Sequence, residues 1–204
     1  MDKTTDRLIH LIKQAQLKYS KEYLVLAVPS FISKKFIAYC AMKEDLELLL
    51  QYINELRNSP HSTIKSALSY SLISLYGKCY TDASRNSFPK LEPSELFKDG
   101  EENYESHKYL MDLRHKFIAH RGETENEIGI SFILVSKKEP SDITQVHFSQ
   151  IKMVGFSKED LDKFEVLIKY LIERLSDKIQ KNGQKVQDGM LNLFTPEQLN
   201  LMLM

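Results

Sequence analysis

The sequence predicts a mostly α protein: a bundle of four or five helices with one small β-hairpin inserted before the last long helix. Three observations carry this. Apolar residues recur at helical spacing through most of the chain. Two runs rich in β-branched and aromatic residues, Ile128–Val135 and Ile143–Phe148, are joined by the turn-forming stretch Ser136-Lys-Lys-Glu-Pro-Ser-Asp142 and read as a hairpin at about 128–148. Ser157, with Asp160 three positions on, resembles a capping box opening a last long helix to about Lys181.

The elements follow in order. Thr5 to Tyr19 carries Leu8, Ile9, Leu11, Ile12, Ala15 and Leu17, the pattern of an amphipathic helix. Tyr23–Val28 fits a strand or a helix equally well. Ser30 or Ser33 can cap a long helix bearing Phe36, Ile37, Tyr39, Cys40, Leu46, Leu49, Leu50, Ile53 and Leu56, ended by Arg57-Asn-Ser-Pro60. His61-Ser-Thr63 opens the next, with Ile64, Leu68, Leu72, Leu75, Tyr76 and Cys79 on one stripe. Ser87 to Gly100, with Pro89 and Pro93, is the clearest loop. Glu101 to Arg121 is a further helix with Gly122 as its stop. In the tail, 188–204, Thr195-Pro196 can start a short helix; the tail reads either as docked on its own bundle, the favoured expectation because a free apolar tail is an aggregation hazard, or as an exposed partner-binding peptide. No repeat or low-complexity tract divides the chain, so 1–204 reads as a single domain.

Composition narrows the function classes. At 204 residues, 42% of them hydrophobic and 27% charged, the chain can bury a real core. Lys and Arg together equal Asp and Glu at 28 each, so no global field holds nucleic acid, and an anionic partner needs a local patch. Cys40 and Cys79 form no CxxC pair and read as buried free thiols of a reducing compartment. The apolar run Tyr23–Val28 is far too short to span a membrane, and the polar start Met1-Asp-Lys-Thr-Thr-Asp6 is no leader. The expected location is the cytoplasm, with no membrane partner. P-loops, dinucleotide fingerprints and nucleophile elbows are absent.

The chemistry concentrates in Leu110-Met-Asp-Leu-Arg-His-Lys-Phe-Ile-Ala-His-Arg-Gly122. Three of the six histidines, His107, His115 and His120, fall between residues 107 and 120. Histidine gains or loses a proton near neutral pH, and guanidinium is suited to gripping phosphate oxygens. On a helical wheel with Leu113 at zero, Leu110 and Phe117 lie within about 60° and form the core stripe. His120 falls about 20° to the other side, and Arg114 about 100° away beside Met111 and Ile118. Arg114 and His120 are thus about 120° and roughly 9 Å of rise apart. They meet at one ligand if the Arg114 side chain wraps the helix, or if the same helix of a second copy crosses nearby.

Arg114-His115-Lys116-Phe117-Ile118-Ala119-His120 resembles the R-(polar)-x4-H signature of HEPN domains, all-α proteins of bacterial toxin–antitoxin and phage-defence systems. The longer string Asp112–Arg121 is most similar to the abortive-infection branch. Where the family often has Asn or Asp after the arginine, this chain has His115. The resemblance implies a metal-independent endoribonuclease, without cofactor, acting as a homodimer on RNA, with an antitoxin protein as a further partner. It implies catalytic roles for Arg114 and His120: His120 as acid or base, Arg114 as the group that stabilises the transition-state charge. His115, Lys116 and Arg121 would bind the phosphate backbone. The alternative is a catalytically inactive HEPN-like dimer that binds nucleotide, RNA or protein.

Structural roles stand beside these. A histidine in a last helical turn gains up to about 1 kcal/mol from the helix dipole without any function, and Arg114 can pair with Asp112 or Glu105. His115 and His120, five apart, are poorly spaced as metal ligands, and no metal is expected. Lys78, Tyr80, Asp82, Arg85 and Asn86 form a second polar cluster in which Asp82 and Arg85 read as a surface ion pair.

Overall fold

The structure, a computed structural model, describes residues 3–82, 88–118, 127–135, 137, 143–152, 155–195 and 198, with the backbone alone at 3, 117, 118, 143 and 144. It is mostly α, with a two-stranded hairpin before the last long helix. The helices are α1 (Lys3–Tyr19), α2 (Ser30–Asn58), α3 (Ser62–Lys78), α4 (Pro93–Leu96), α5 (Glu102–Leu113) and α6 (Lys158–Leu191). A π-helical segment, Arg114–Ile118, continues α5, and β1 (Glu127–Val135) pairs with β2 (Ile143–Lys152). None of the described helices is long and apolar enough to cross a membrane.

The chain divides into two compact units, 41–176 and 1–40 with 177–204; α2 and α6 contribute to both. In the larger unit, the later part of α2, α3, α5 and the first part of α6 share one core. Leu46, Leu49, Ile53, Leu72, Ile73, Tyr76, Leu110, Phe164, Leu167, Ile168 and Leu171 are essentially inaccessible there. These positions recur three and four apart on each helix, so each presents one apolar stripe. Arg57 at the end of α2 grips α6 with its guanidinium fork, Nη1 on Glu165 at 2.5 Å and Nη2 on Asp162 at 2.6 Å.

The capping box at α6 is present in both directions. The Ser157 hydroxyl donates to Asp160 Oδ2 at 2.6 Å and accepts from the Asp160 backbone N–H at 3.1 Å, while the Ser157 N–H donates to the same carboxylate at 3.3 Å. At α2, by contrast, the helix begins at Ser30 and the Ser33 hydroxyl donates to the Pro29 carbonyl. α3 is entered through His61 with no side-chain cap. Tyr23–Val28 is neither strand nor helix, and one turn of helix, α4, sits inside the expected loop with Pro93 in its first turn.

In the smaller unit α6 runs ten residues beyond its expected end at Lys181, to Leu191. At Gly189 a Cβ would lie 2.9 Å from Ile32 Cγ2, so that glycine lets the last turns of α6 approach the start of α2; at Gly183 a Cβ would meet the Phe36 ring at an ordinary 3.4 Å. Lys178 lies 5.8 Å from the Tyr39 ring centre in the same unit. Past α6, Thr195 and Gln198 cap one another, backbone N–H to side chain both ways, at 2.9 and 3.2 Å. Residues 199–204 of the tail lie outside the described residues.

The hairpin pairs Glu127 with Lys152, Ser131 with Phe148 and Leu134 with Gln145, then shifts register so that Val135 faces Ile143. β2 extends four residues beyond its expected end at Phe148. The Glu127 carboxylate fastens the extra length, taking Lys152 at 3.3 Å and Gln150 at 2.5 Å.

Candidate functional site

Arg114 stands where α5 stops being α-helical. From Arg114 to Ile118 the backbone is a π-helix, whose hydrogen bonds close on the fifth residue instead of the fourth. Each residue therefore turns the helix by less than 100°, and wheel angles taken beyond Leu113 overestimate the rotation. Up to that point the wheel holds: Leu110 and Leu113 are buried, Arg114 is half-buried, and His115 and Lys116 are exposed. Met111, expected as part of an exposed apolar surface, is half-buried. The side chains of Phe117 and Ile118, and the whole of His120 and Arg121, lie outside the described residues.

The neighbour of Arg114 is the end of α3. The arginine stem lies directly on the backbone of Gly77; a Cβ built there would coincide with Arg114 Cδ and Nε. Beyond the glycine, Arg114 Nη2 donates to Thr81 Oγ1 at 2.7 Å. Thr81 uses its own proton on the Gly77 carbonyl at 2.9 Å, so its oxygen is left to accept from the guanidinium. Among the described residues no carboxylate pairs with Arg114. Its expected structural partners are engaged elsewhere: Asp112 takes Lys116 at 2.9 Å, and Glu105 takes Lys108 at 2.6 Å.

Two turns earlier on α5, His107 is 5% exposed and sealed in aromatic rings. Tyr80 lies 4.5 Å from it centre to centre, Phe97 5.0 Å and Tyr76 5.9 Å, the Phe97 ring stacked. Its Nδ1 is 2.8 Å from the Tyr76 hydroxyl, which donates on to the Tyr80 hydroxyl at 3.3 Å. Burial pulls the His107 pKa down to about 4, keeping the ring neutral near neutral pH. Burial likewise raises the phenols of Tyr76 and Tyr80 above the ordinary range and the Cys79 thiol to about 12. His107 is therefore a packing histidine that locks α3 against α5, not an acid–base group facing solvent.

The second polar cluster breaks up. Lys78 pairs with Asp45 at 2.7 Å, and Tyr80 is buried against His107 instead of standing at the surface. Asp82 is exposed, and Arg85 and Asn86 lie outside the described residues. The end of α3 lies beside the end of α5, where Thr81 meets Arg114, and not only beside its start. Sequence reasoning missed Thr81 and Gly77; the one available signal was a glycine interrupting an apolar helical stripe four residues before a threonine. Among the described residues no three His, Cys, Asp or Glu side chains converge in a way that could hold a metal ion. Neither Cys40 nor Cys79 is in a disulfide; Cys79 is buried as expected, whereas Cys40 is only half-buried.

No protein-family model matches the chain, and no curated protein or solved structure matches it either.

Proposed function

We propose that the chain is a metal-independent endoribonuclease of a defence or toxin–antitoxin system, working in the cytoplasm as a homodimer. The observation that carries this reading is the state of Arg114: a guanidinium on a neutral hydroxyl, with no carboxylate paired to it among the described residues. A guanidinium neutralised by a carboxylate is committed to structure; one resting on a hydroxyl keeps its full charge for a phosphate. His115 beside it is exposed, and so is Lys116, whose surface pair with Asp112 at 2.9 Å is open to solvent and exchangeable for a phosphate. The π segment adds weight, because such insertions are frequent at functional sites.

In the proposed reaction the ribose 2′-oxygen attacks the adjacent phosphorus and gives up its proton to a base. The bond from phosphorus to the 5′-oxygen breaks, and that oxygen takes a proton from an acid. The products are a 2′,3′-cyclic phosphate and a 5′-hydroxyl. His120 serves as one of the two proton carriers, Arg114 holds the charge that builds on the phosphoryl oxygens, and Lys116 and Arg121 hold flanking phosphates. RNA, a second copy of the chain and an antitoxin protein are the partners of this reading. Incubating purified protein with end-labelled tRNA and total RNA in EDTA tests it. Cutting supports a nuclease, and RNA retained but uncut supports the inactive, binding form of the same fold.

A further inference from the structure

We infer that Gly77, in the last turn of α3, and Thr81, just past its end, are positioning residues for Arg114, holding its guanidinium in the orientation in which it meets a phosphate. The inference rests on the phosphate-gripping reading of Arg114 and adds to it the residues through which the arginine is aimed.

The geometry is that of a clamp with two jaws at the C-terminal end of one helix. Gly77 is in the last turn of α3, and Thr81 lies three residues past its end, in the turn that folds back so that its N–H donates to the Lys78 carbonyl and its hydroxyl to the Gly77 carbonyl. Gly77 supplies a floor: with no side chain, its backbone lets the Arg114 stem lie flat, in space any other residue would fill. Thr81 supplies the stop: its Oγ1 accepts from Nη2 at 2.7 Å and is itself oriented by donating to the Gly77 carbonyl at 2.9 Å. An arginine has long, rotatable reach, and fixing its stem and one terminal nitrogen removes most of that freedom before a ligand arrives. One Nη2 hydrogen is spent on Thr81, and the fork has five donors in all, so the remainder stay available to oxygens of a phosphate.

Thr81 is exposed and fills no core, so its side chain is not held there by burial. The π segment starts at Arg114 itself, which sets the point at which its stem leaves α5 toward α3.

Three variants test the clamp: Thr81→Val keeps the shape and removes the acceptor, Thr81→Ser keeps the acceptor, and Gly77→Ala places a methyl where Arg114 lies. Two readouts are needed. The first is independent of function: the Arg114 Nε–H resonance in proton–nitrogen correlation spectra, assigned with Arg114→Lys. It is expected to be distinct and slowly exchanging in the wild type and Thr81→Ser. In Thr81→Val and Gly77→Ala it is expected to collapse onto the position of solvent-exposed arginines. The second is the cleavage rate on a labelled RNA oligonucleotide, expected to fall about 10- to 100-fold in kcat for Thr81→Val with KM nearly unchanged, and to be restored by Thr81→Ser. An Arg114 resonance unmoved by Thr81→Val overturns the clamp, as does equal cleavage by Thr81→Val and wild type. If the wild type cuts no RNA while the resonance behaves as expected, the nuclease reading fails and the clamp stands as a device for another anion.

Discussion

Acid should loosen this protein through one side chain, His107. An ordinary histidine takes up its proton near pH 6.5, whereas His107 in its ring cage does so only near 4. Between those values the unfolded chain binds a proton that the folded chain refuses, so stability is intact above pH 6.5 and falls as the pH drops towards 4. At about 1.4 kcal/mol per pH unit the whole window is worth up to about 3 kcal/mol, and the step from pH 7 to pH 5 about 2 kcal/mol. That is a large part of the 5–15 kcal/mol typical of a folded domain. The carboxylates whose pKa values are lowered by their ion pairs, Glu159 and Glu165, begin from 4.5, so their loss falls mainly below pH 5 and outside the step from pH 7 to pH 5. Urea unfolding followed by circular dichroism at pH 7 and pH 5, on the wild type and His107→Gln, isolates the effect. The variant is expected to be weaker at pH 7, having lost the ring packing, but to change little between the two pH values. A wild type as stable at pH 5 as at pH 7, or a variant that loses as much as the wild type, would refute the reasoning.

Other predictions concern single elements. Asp160→Ala removes the two bonds that its carboxylate accepts from the Ser157 N–H and hydroxyl at the start of α6, and should cost about 1 kcal/mol, a fall of about 2–4 °C in thermal midpoint by calorimetry. Gly189→Val drives a branched side chain into Ile32 and should cost about 1–3 kcal/mol by the same assay. Cys79, buried with its thiol near 12, should resist iodoacetamide at pH 8 in the native protein and label fully in denaturant, read by peptide mass spectrometry. Lys116→Ala should lower the slope of log affinity against log salt for single-stranded RNA by about 0.7 if this exposed lysine contacts one phosphate.

What could be read from the sequence was local. The hairpin was legible because Ile128–Val135 and Ile143–Phe148 differ in residue type from everything around them, and the start of α6 because Ser157 and Asp160 satisfy each other within one turn. The end of α6 was not: the helix runs ten residues past Lys181, and Gly189 there answers to Ile32 of α2 across the packing, which helical spacing does not show. Tyr80 reads as polar beside Asp82, and only the fold shows that its neighbour is His107. The π segment left no mark at all: Arg114-His-Lys-Phe-Ile118 contains no proline or glycine. For the site, the sequence picked out Arg114, His115 and Lys116, but the residues that hold Arg114 come from 33 and 37 positions earlier. Pairings of that kind depend on which helices are neighbours, and helical periodicity does not carry that information.

The central claim is that Arg114 and His120 cut RNA together, and the chemistry of the cut ends tests it most directly. Labelled RNA is treated in EDTA with the wild type, Arg114→Ala and His120→Ala, each shown to be folded, and the termini are identified. The account predicts 2′,3′-cyclic phosphate and 5′-hydroxyl ends from the wild type and none from either variant. Cutting that survives both substitutions, or ends bearing a 5′-phosphate, would contradict it.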